Sequence, residues 1–145
     1  MDNANNTQHS NNVKGVTFIE NKPLSAKDIA DLRASVGWNR MEKEYADLLM
    51  NSYYHIGAYV SDQFVGFIDC VSNGVTDAYI QDLIVSPLQQ GKGIGTELMN
   101  RMIRHLKEQR IYMISVIFDE KLKAFYQRFG FIEMLSGQIQ VYESE

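Results

Sequence analysis

The sequence has little of several residue types, and each shortage narrows the class of protein. Among its 145 residues there is one cysteine, Cys70, so no disulfide can form within the chain, which is typical of a reducing compartment. The two prolines are too few for a proline-rich linker. No apolar run is long enough to span a bilayer and no charged-then-apolar leader begins the chain, so we expect neither membrane insertion nor secretion but a cytoplasmic protein.

An excess of positive charge is also lacking. The formal net charge is −4, which argues against a nucleic-acid partner and is compatible with a cationic, amine-bearing one. No His, Cys and Asp side chains follow one another at metal-ligand spacing, so no metal is predicted. Cys70 lies in a strand pattern and is interpreted as a buried structural thiol rather than a nucleophile.

The chain is predicted to contain one folded domain. Residues 1–12 are almost wholly polar and rich in asparagine, so we expect a disordered tail there. Residues 13–145 have the composition and length of one globular domain with a single substantial core.

Hydrophobic periodicity predicts an α/β protein with a mixed sheet and the order β-α-α-β-β-β-α-β-α-β-β. Ser25 is expected to cap the first helix and Gly37 to end it, and a long helix follows the glycine-rich loop at residues 90–95. A tight hairpin is expected at residues 61–63. The strands are predicted over residues 13–19, 54–60, 64–71, 77–85, 112–118, 131–135 and 138–142, and the other two helices over residues 42–50 and 119–129.

The most informative stretch is an apolar strand that breaks into a glycine-rich loop and runs into a helix. Glycines at 91, 93 and 95 let the backbone turn tightly and approach a ligand, and the following helix presents free N–H groups suited to a phosphate. The P-loop pattern fails because Ile94 follows Gly93, and the dinucleotide fingerprint fails because Thr96 stands where its third glycine belongs. The remaining pattern is Gln90-x-x-Gly93-x-Gly95.

With that pattern the chain resembles the GNAT acetyltransferase superfamily, whose acetyl-coenzyme A signature has this form between a strand and a helix. A second landmark, Tyr126-x-x-x-Gly130-Phe131, resembles the family's Tyr-x-x-x-Gly-Phe segment. The two motifs occur in the right order and the resemblance covers most of the chain. It implies a GNAT-like acyl-CoA N-acyltransferase fold with acetyl-CoA as cofactor.

The resemblance also implies where the cofactor would lie. The fourth and fifth strands are expected to splay apart, with the backbone of Leu83, Ile84 and Val85 pairing with pantetheine. Amides of the loop are expected to hold the pyrophosphate, from Gln90, Gly91, Lys92, Gly93, Ile94, Gly95 and Thr96. Asp119 stands where many relatives carry an asparagine that contacts the cofactor arm, but a plain N-cap of the last helix is the preferred interpretation.

Tyr126 is the candidate general acid, since a phenol near the sulfur can protonate a leaving thiolate and stays protonated at neutral pH. The general base is left open. Tyr79 and Gln81 occupy the inward positions of the fourth strand, but neither is a ready base, so they are predicted to position water for a water-mediated route. Asp82 is expected on the opposite strand face by alternation, where it would orient a loop or the acceptor amine.

The acceptor pocket is expected between the first two helices, their loop and the closing strands. Aromatic residues with polar tips suit an amine, including by cation–π contact. The predicted substrate-binding residues are Trp38, Tyr53, Tyr54 and Asp82, and Tyr45 and His55 are secondary candidates. A core role is an open alternative for Trp38, and a partly exposed strand position is the preferred interpretation of His55.

These features predict an N-acetyltransferase that moves an acetyl group from acetyl-CoA to a primary amine of a small molecule, by direct attack in a ternary complex. One alternative is a protein or peptide N-acetyltransferase. Another is a non-catalytic acyl-CoA binding module. A homodimer is considered, because dimers are common among the resembling proteins.

Overall fold

The computed structural model describes residues 13–47, 50 and 52–144. Their helices and strands follow the predicted order as far as the last helix. The strands are β1 (Thr17–Glu20), β2 (Tyr54–Val60), β3 (Gln63–Ser72), β4 (Asp77–Val85) and β5 (Met113–Val116), and the helices are α1 (Ala26–Ser35), α2 (Glu42–Ala46), α3 (Ile94–Glu108) and α4 (Lys123–Gln127). The predicted tail at residues 1–12 lies outside the described residues.

The five strands form one mixed sheet in the order β1-β2-β3-β4-β5. The first four strands are antiparallel, and β4 pairs with β5 in parallel. The predicted hairpin between β2 and β3 is confirmed. Ser61 and Asp62 both have positive φ, 47° and 64°, as a two-residue turn that matches the twist of its strands requires.

Helices cover both faces of the sheet. On one face α3 buries the apolar stripe of Leu98, Met102 and Leu106 against the strands, and this cluster forms the larger part of the core. On the other face α1 packs Ile29 and Leu32 against Phe67 of β3 and Ile84 of β4. Ser25 caps α1 as predicted, since its hydroxyl accepts the N–H of Asp28. No helix among the described residues is long and apolar enough to cross a bilayer.

Two helices are shorter than predicted. The second ends at Ala46 rather than at residue 50, and Leu48 and Leu49, which were expected on its apolar side, lie outside the described residues. The last helix is a 3₁₀ turn over Glu120–Leu122 followed by α4. Gly130 ends this region with a φ of +89°, as expected of a C-terminal cap.

The prediction of two closing strands is wrong for the described chain. Residues 131–135 and 138–142 form no strand, and every residue from 132 to 143 is exposed. Their alternating apolar pattern supplies a face to bury, but a strand exists only where its backbone groups pair with a neighbour. Among the described residues, none pairs with the outer edge of β5, so the sheet ends there.

Candidate active site

The glycine loop joins the end of β4 to the start of α3. Gly91 and Gly93 adopt left-handed φ values of +76° and +87°, a conformation that strains residues with a Cβ. Gly93 is the N-cap of α3 and supplies no side-chain hydrogen bond to the first turn. The first N–H groups of this 15-residue helix therefore have no side-chain cap from Gly93, and the positive end of the helix dipole favours an anion.

Side-chain hydrogen bonds hold the shape of the loop, and two basic side chains lie beside it. The Gln90 amide donates to the carbonyl of Val85 at 3.0 Å, and Lys92 Nζ donates to Gln89 Oε1 at 3.0 Å. Arg128, which follows α4, donates to the hydroxyl of Thr96 at 3.3 Å. Sequence reasoning missed Arg128, although it lies within the tyrosine motif. It brings a second positive charge to the N-terminal end of α3.

A gap opens between β4 and β5 beside this loop. The two strands pair from Asp77 to Ile80 of β4, and β4 continues to Val85 without a partner on that side among the described residues. The backbone edge of Leu83, Ile84 and Val85 therefore faces the gap. The end of pairing beyond Ile80 agrees with the splay that the resemblance implied.

A β-bulge at Gln81 changes which β4 side chains share a face. Asp69 of β3 is paired with Asp82, but the next residue, Cys70, is paired with Ile80, so Gln81 is an extra residue in β4. The bulge ends the alternation on which the opposite-face expectation for Asp82 rested. Tyr79, Gln81 and Asp82 line one cavity, and the expected separation is corrected accordingly.

This cavity has a volume of about 680 Å³ and lies between α1, α2, β4 and the chain after β5. Besides the three β4 residues, its polar lining includes Arg33 and Asp119. A second cavity of about 450 Å³ contains Asp69 and His55 in its wall. The two cavities share Tyr45, Met50 and Gln81, so they form neighbouring chambers on the α1 face of the sheet.

A buried polar network forms the floor of the first cavity. Arg33 of α1 donates from Nη1 to Asp82 Oδ2 at 2.6 Å and from Nε to the carbonyl of Asn39 at 2.6 Å. The hydroxyl of Tyr45 donates to the same oxygen of Asp82. Burial and the Asp82 charge raise the pKa of Tyr45, so its phenol stays a donor. Arg33 carries no local sequence signal that separates it from an ordinary surface arginine, and sequence reasoning missed it.

Asp69 is the other buried carboxyl of this region. It is 1% exposed, and its Oδ1 accepts the backbone N–H of Asp82 at 3.1 Å. Burial, and then the nearby charge of Asp82, raise the pKa of Asp69 to about 7. Sequence reasoning missed this residue, although an aspartate within the apolar run of β3 is a signal that could have found it.

Tyr126 is buried between aromatic rings rather than exposed in a cavity. Its ring stacks on Phe118 at 4.4 Å between centroids and meets Phe125 edge-on at 5.0 Å. Burial, and then the neighbouring Tyr79, raise its pKa, so the phenol is protonated at neutral pH. Tyr126 therefore lies near Tyr79 of β4.

The predicted substrate-binding aromatics lie on different faces of the sheet. Trp38 is 43% exposed and its ring lies 5.4 Å from the Arg33 guanidinium, next to the polar network. Tyr54 stacks on His105 of α3 and donates to Glu20, so it is placed in the core on the other face of the sheet. Tyr53 packs at the border of the same core cluster. A substrate role for Tyr53 or Tyr54 stays a prediction from the sequence alone.

The remaining candidates have structural partners. Asp119 caps the turn after β5 by accepting the N–H of Lys121 at 3.1 Å, and it also lines the first cavity. His55 is held between Ser52 and the carbonyl of Lys22. Cys70 is buried and desolvation raises its pKa to about 11, which leaves the thiol un-ionised. Within the described ranges, no three His, Cys, Asp or Glu side chains are grouped to hold a metal ion.

Comparison with known proteins decides the family. A sequence profile described as "Acetyltransferase (GNAT) domain" matches residues 22–142. The chain belongs to the GNAT acetyltransferase family. An uncharacterized ycf52-like N-acetyltransferase of Prochlorococcus marinus is 31% identical to this GNAT domain over 126 residues, which are 83% of this chain and 70% of the relative.

Two further relatives extend the comparison of the GNAT domain. A solved GNAT family acetyltransferase from Streptococcus pneumoniae is 30% identical, with a TM-score of 0.74 over 89% of this chain and 99% of the other. A protein of Glycine max named histone acetyltransferase TAP1 is 27% identical over 137 residues, which are 86% of this chain and 59% of that protein. The mixed sheet of this GNAT domain is thus shared with a solved acetyltransferase along most of its length.

Proposed function

We propose that this GNAT domain transfers an acetyl group from acetyl-CoA to a primary amine of a small molecule. The observation that supports the proposal is the succession of three features along β4. They are the cavity of about 680 Å³ lined by Tyr79, Gln81 and Asp82, the edge of β4 that has no partner beyond Ile80 among the described residues, and the glycine loop before α3. An elongated acyl thioester with a pyrophosphate at one end suits this succession.

The residues present fit acetyl-CoA by their chemistry. Positive φ at Gly91 and Gly93 shapes a cradle, and Lys92 and Arg128 add positive charge beside it. The edge of β4 along Leu83, Ile84 and Val85 has no strand partner on the β5 side among the described residues, and we expect an amide-bearing arm to pair there as a further strand would. When bound, acetyl-CoA supplies an activated acyl group whose leaving group is a thiolate.

The chain's own residues then orient the acceptor amine and donate a proton to the leaving thiolate. The phenol of Tyr126 is protonated at neutral pH and serves as the proton donor to the leaving thiolate. Tyr79 and Gln81 line the cavity and hold water near the acceptor amine, while Asp82, fixed by Arg33 and Tyr45, orients that amine. In this proposal Asp119, in the wall of the same cavity, contacts the cofactor arm as well as capping its turn.

A proton acceptor follows from the same geometry. An alkylamine with a pKa of about 10.4 must lose a proton before it attacks. Asp69 lines the second cavity together with Gln81 and accepts the backbone N–H of Asp82. With a pKa of about 7, its carboxyl group is mostly ionised above neutral pH. We infer that the proton leaves through water held by Gln81 and Tyr79 toward Asp69.

A protein or peptide acceptor is the second candidate function. The soybean relative is named a histone acetyltransferase, and that name is the observation in its favour. The first cavity, with a volume of about 680 Å³, has room for a small amine. A non-catalytic acyl-CoA binding module is the remaining alternative, and the presence of Tyr126 in the Tyr-x-x-x-Gly-Phe motif argues against it. A homodimer is part of the proposal, and a cytoplasmic location stays a prediction from the sequence.

The test is acetyl-CoA consumption, measured as free thiol release, with arylalkylamines, polyamines, amino acids and short peptides as acceptors. Tyr126→Phe, which keeps the ring packing and removes the hydroxyl, is compared with the wild type. Amine-dependent release that falls in the variant while acetyl-CoA still binds supports the proposal. Turnover of peptides alone identifies a protein acceptor, and binding without release for any acceptor contradicts transfer.

A further inference from the structure

The second cavity is larger than its role in the proposed transfer requires. Of the residues in its wall, only Tyr45, Gln81 and Asp69 take part in that reaction. Its volume of about 450 Å³ falls within the range of about 300–1,000 Å³ that is typical of small-molecule sites. Tyr45, Met50 and Gln81 belong to the walls of both cavities. A ligand held beside Gln81 in the first cavity therefore borders on the second.

Most of the remaining wall is hydrocarbon. Phe67 and Val71 of β3 line the cavity on either side of Asp69, because alternate positions of a strand share one face. Leu24, just before α1, and Ile29 within it contribute two more apolar side chains. Val71 is 42% exposed, so part of this apolar surface is open to a ligand. A ligand with an apolar body is stabilised by covering it.

The charged groups of this cavity disfavour an anionic ligand. Among the described residues, its wall contains no lysine or arginine but two carboxyl groups, those of Asp47 and Asp69. His55 is the basic side chain of the wall, and both of its ring nitrogens are already in hydrogen bonds. In the first cavity, Arg33 is paired with Asp82 at 2.6 Å. An acceptor that bears a carboxylate or a phosphate therefore meets like charge without a cation to neutralise it.

A second ammonium group on the acceptor is disfavoured as well. An ammonium group loses its water in an apolar cavity, and only a well-placed partner offsets that loss. Asp69 is 1% exposed and its Oδ1 already accepts the N–H of Asp82, so its carboxyl offers little surface to such a group. Asp47 is exposed, and an ion pair formed there in water adds little affinity. The cavity thus suits an uncharged body better than a charged one.

We propose that the second cavity binds the body of the acceptor, and that the acceptor is a primary monoamine whose nitrogen carries an alkyl or arylalkyl group. This role rests on the proposed function, because the transfer places the amine nitrogen beside Gln81. From there the body passes Met50, whose unbranched side chain adapts to a ligand, and packs against Leu24 and Val71. The apolar wall of the second cavity then determines the length of the preferred acceptor.

The first experiment measures kcat/KM for n-alkylamines from ethylamine to octylamine at saturating acetyl-CoA, followed as thiol release. Burial of one methylene group is worth about fourfold in kcat/KM. We expect a rise of that size per methylene until the cavity is filled, and values at least tenfold lower for the diamine and the ω-amino acid of each length. Values that do not depend on length, or diamines that match the monoamines, overturn this role of the cavity while acetyl transfer itself stands.

Two substitutions change the size of the cavity in opposite directions. Val71→Phe fills it from an exposed strand position that tolerates an aromatic residue, and Leu24→Ala enlarges it. The preferred chain should be shorter in Val71→Phe and longer in Leu24→Ala. Val75→Phe makes the same change between β3 and β4, at a residue that is 68% exposed and lines neither cavity, and it should keep the wild-type profile. A profile that neither cavity variant shifts overturns the proposal.

Amine binding without turnover separates the role of the cavity from acetyl transfer. Calorimetric titration of the coenzyme A complex with hexylamine at several temperatures gives the affinity and the heat-capacity change of binding. A negative heat-capacity change marks apolar burial, and it should be smaller in Val71→Phe but not in Val75→Phe. Hexylamine that binds in this way and is never acetylated supports the role of the cavity and contradicts transfer. Acetylation of ethylamine without binding of hexylamine supports transfer and overturns the role of the cavity, and neither binding nor turnover of any amine overturns both.

Discussion

Asp69 and Asp82 face each other across β3 and β4, and the backbone N–H of Asp82 donates to the Asp69 carboxyl at 3.1 Å. The two acids are not equivalent. Asp82 is fixed by Arg33 and Tyr45, whereas burial and the charge of Asp82 raise the pKa of Asp69 to about 7. One carboxylate is thus neutralised by a cation and the other by retaining its proton. This division makes the site sensitive to pH near neutrality.

Asp69→Asn is expected to stabilise the protein at alkaline pH more than at acidic pH. A raised native pKa means that the folded state binds more protons than the unfolded state between about pH 4 and pH 7, so the free energy of unfolding falls over that window as pH rises. Asparagine keeps the oxygen that accepts the Asp82 N–H and cannot ionise. Thermal unfolding at pH 5, 6, 7 and 8 measures the difference in Tm between variant and wild type, which should grow with pH up to about 7 and then level off.

Asp77→Asn is the matched control for this series, because Asp77 is exposed at the start of β4. It should follow the wild-type Tm at every pH. An Asp69→Asn variant whose Tm differs from that of the wild type by the same amount at all four pH values contradicts a native pKa near 7.

The same variant also tests the proton path. If the acceptor proton moves toward ionised Asp69, the ratio of wild-type to Asp69→Asn kcat/KM for the amine should rise between pH 6 and pH 8 and then level off. The ratio cancels the titration of the amine itself, which continues to higher pH. Steady-state thiol release at saturating acetyl-CoA gives both profiles. A ratio that is constant across this range means that Asp69 takes no proton in the rate-limiting step.

The features of the fold and of the site that were predicted correctly depend on local signals. In the fold, Ser61 and Asp62 form the expected turn. In the site, Gly91 and Gly93 adopt the left-handed φ values that their positions between strand and helix suggest. Such features are specified by a few consecutive residues. The bulge at Gln81 is different, because it is a relation of register between β3 and β4, and no residue type marks it. Because the prediction from the sequence did not include the bulge, the alternation rule assigned Asp82 to the wrong face of β4.

Pairing also explains the two strands that the structure lacks. Apolar and polar side chains do alternate at residues 131–135 and 138–142. Whether such a segment forms a strand depends on a neighbouring backbone to pair with, and its own sequence does not specify that neighbour. Arg33 and Asp69 were missed for a related reason. Each acquires its role from Asp82, which is 49 residues from Arg33 along the chain and 13 from Asp69.

Substitutions at two glycines should separate the loop's conformation from its packing. Gly93→Ala forces a Cβ onto a residue with a φ of +87°, at a cost of about 1–2 kcal/mol, and displaces the first turn of α3. Gly95 has no such φ, and a Cβ there lies 3.6 Å from Val85 Cγ2, an ordinary contact. Calorimetric titration with coenzyme A should therefore show affinity lost in Gly93→Ala and retained in Gly95→Ala. Equal loss in both variants contradicts a conformational role for Gly93.

The ion pair between Arg33 and Asp82 gives the last prediction. Both side chains are about nine-tenths buried, so Arg33→Met leaves a carboxylate with Tyr45 as its remaining side-chain donor in an environment that disfavours charge. Loss of one partner from such a pair costs about 3–5 kcal/mol. Denaturant unfolding should show this loss, and Arg33→Met combined with Asp82→Asn should recover part of it because the unpaired charge is gone.

Lys27→Met, which breaks an exposed pair with Asp31 on the same helix, should change the free energy of unfolding little. If the double variant is as unstable as the sum of its single variants, the two side chains are not coupled and the polar floor of the cavity is not held by this pair.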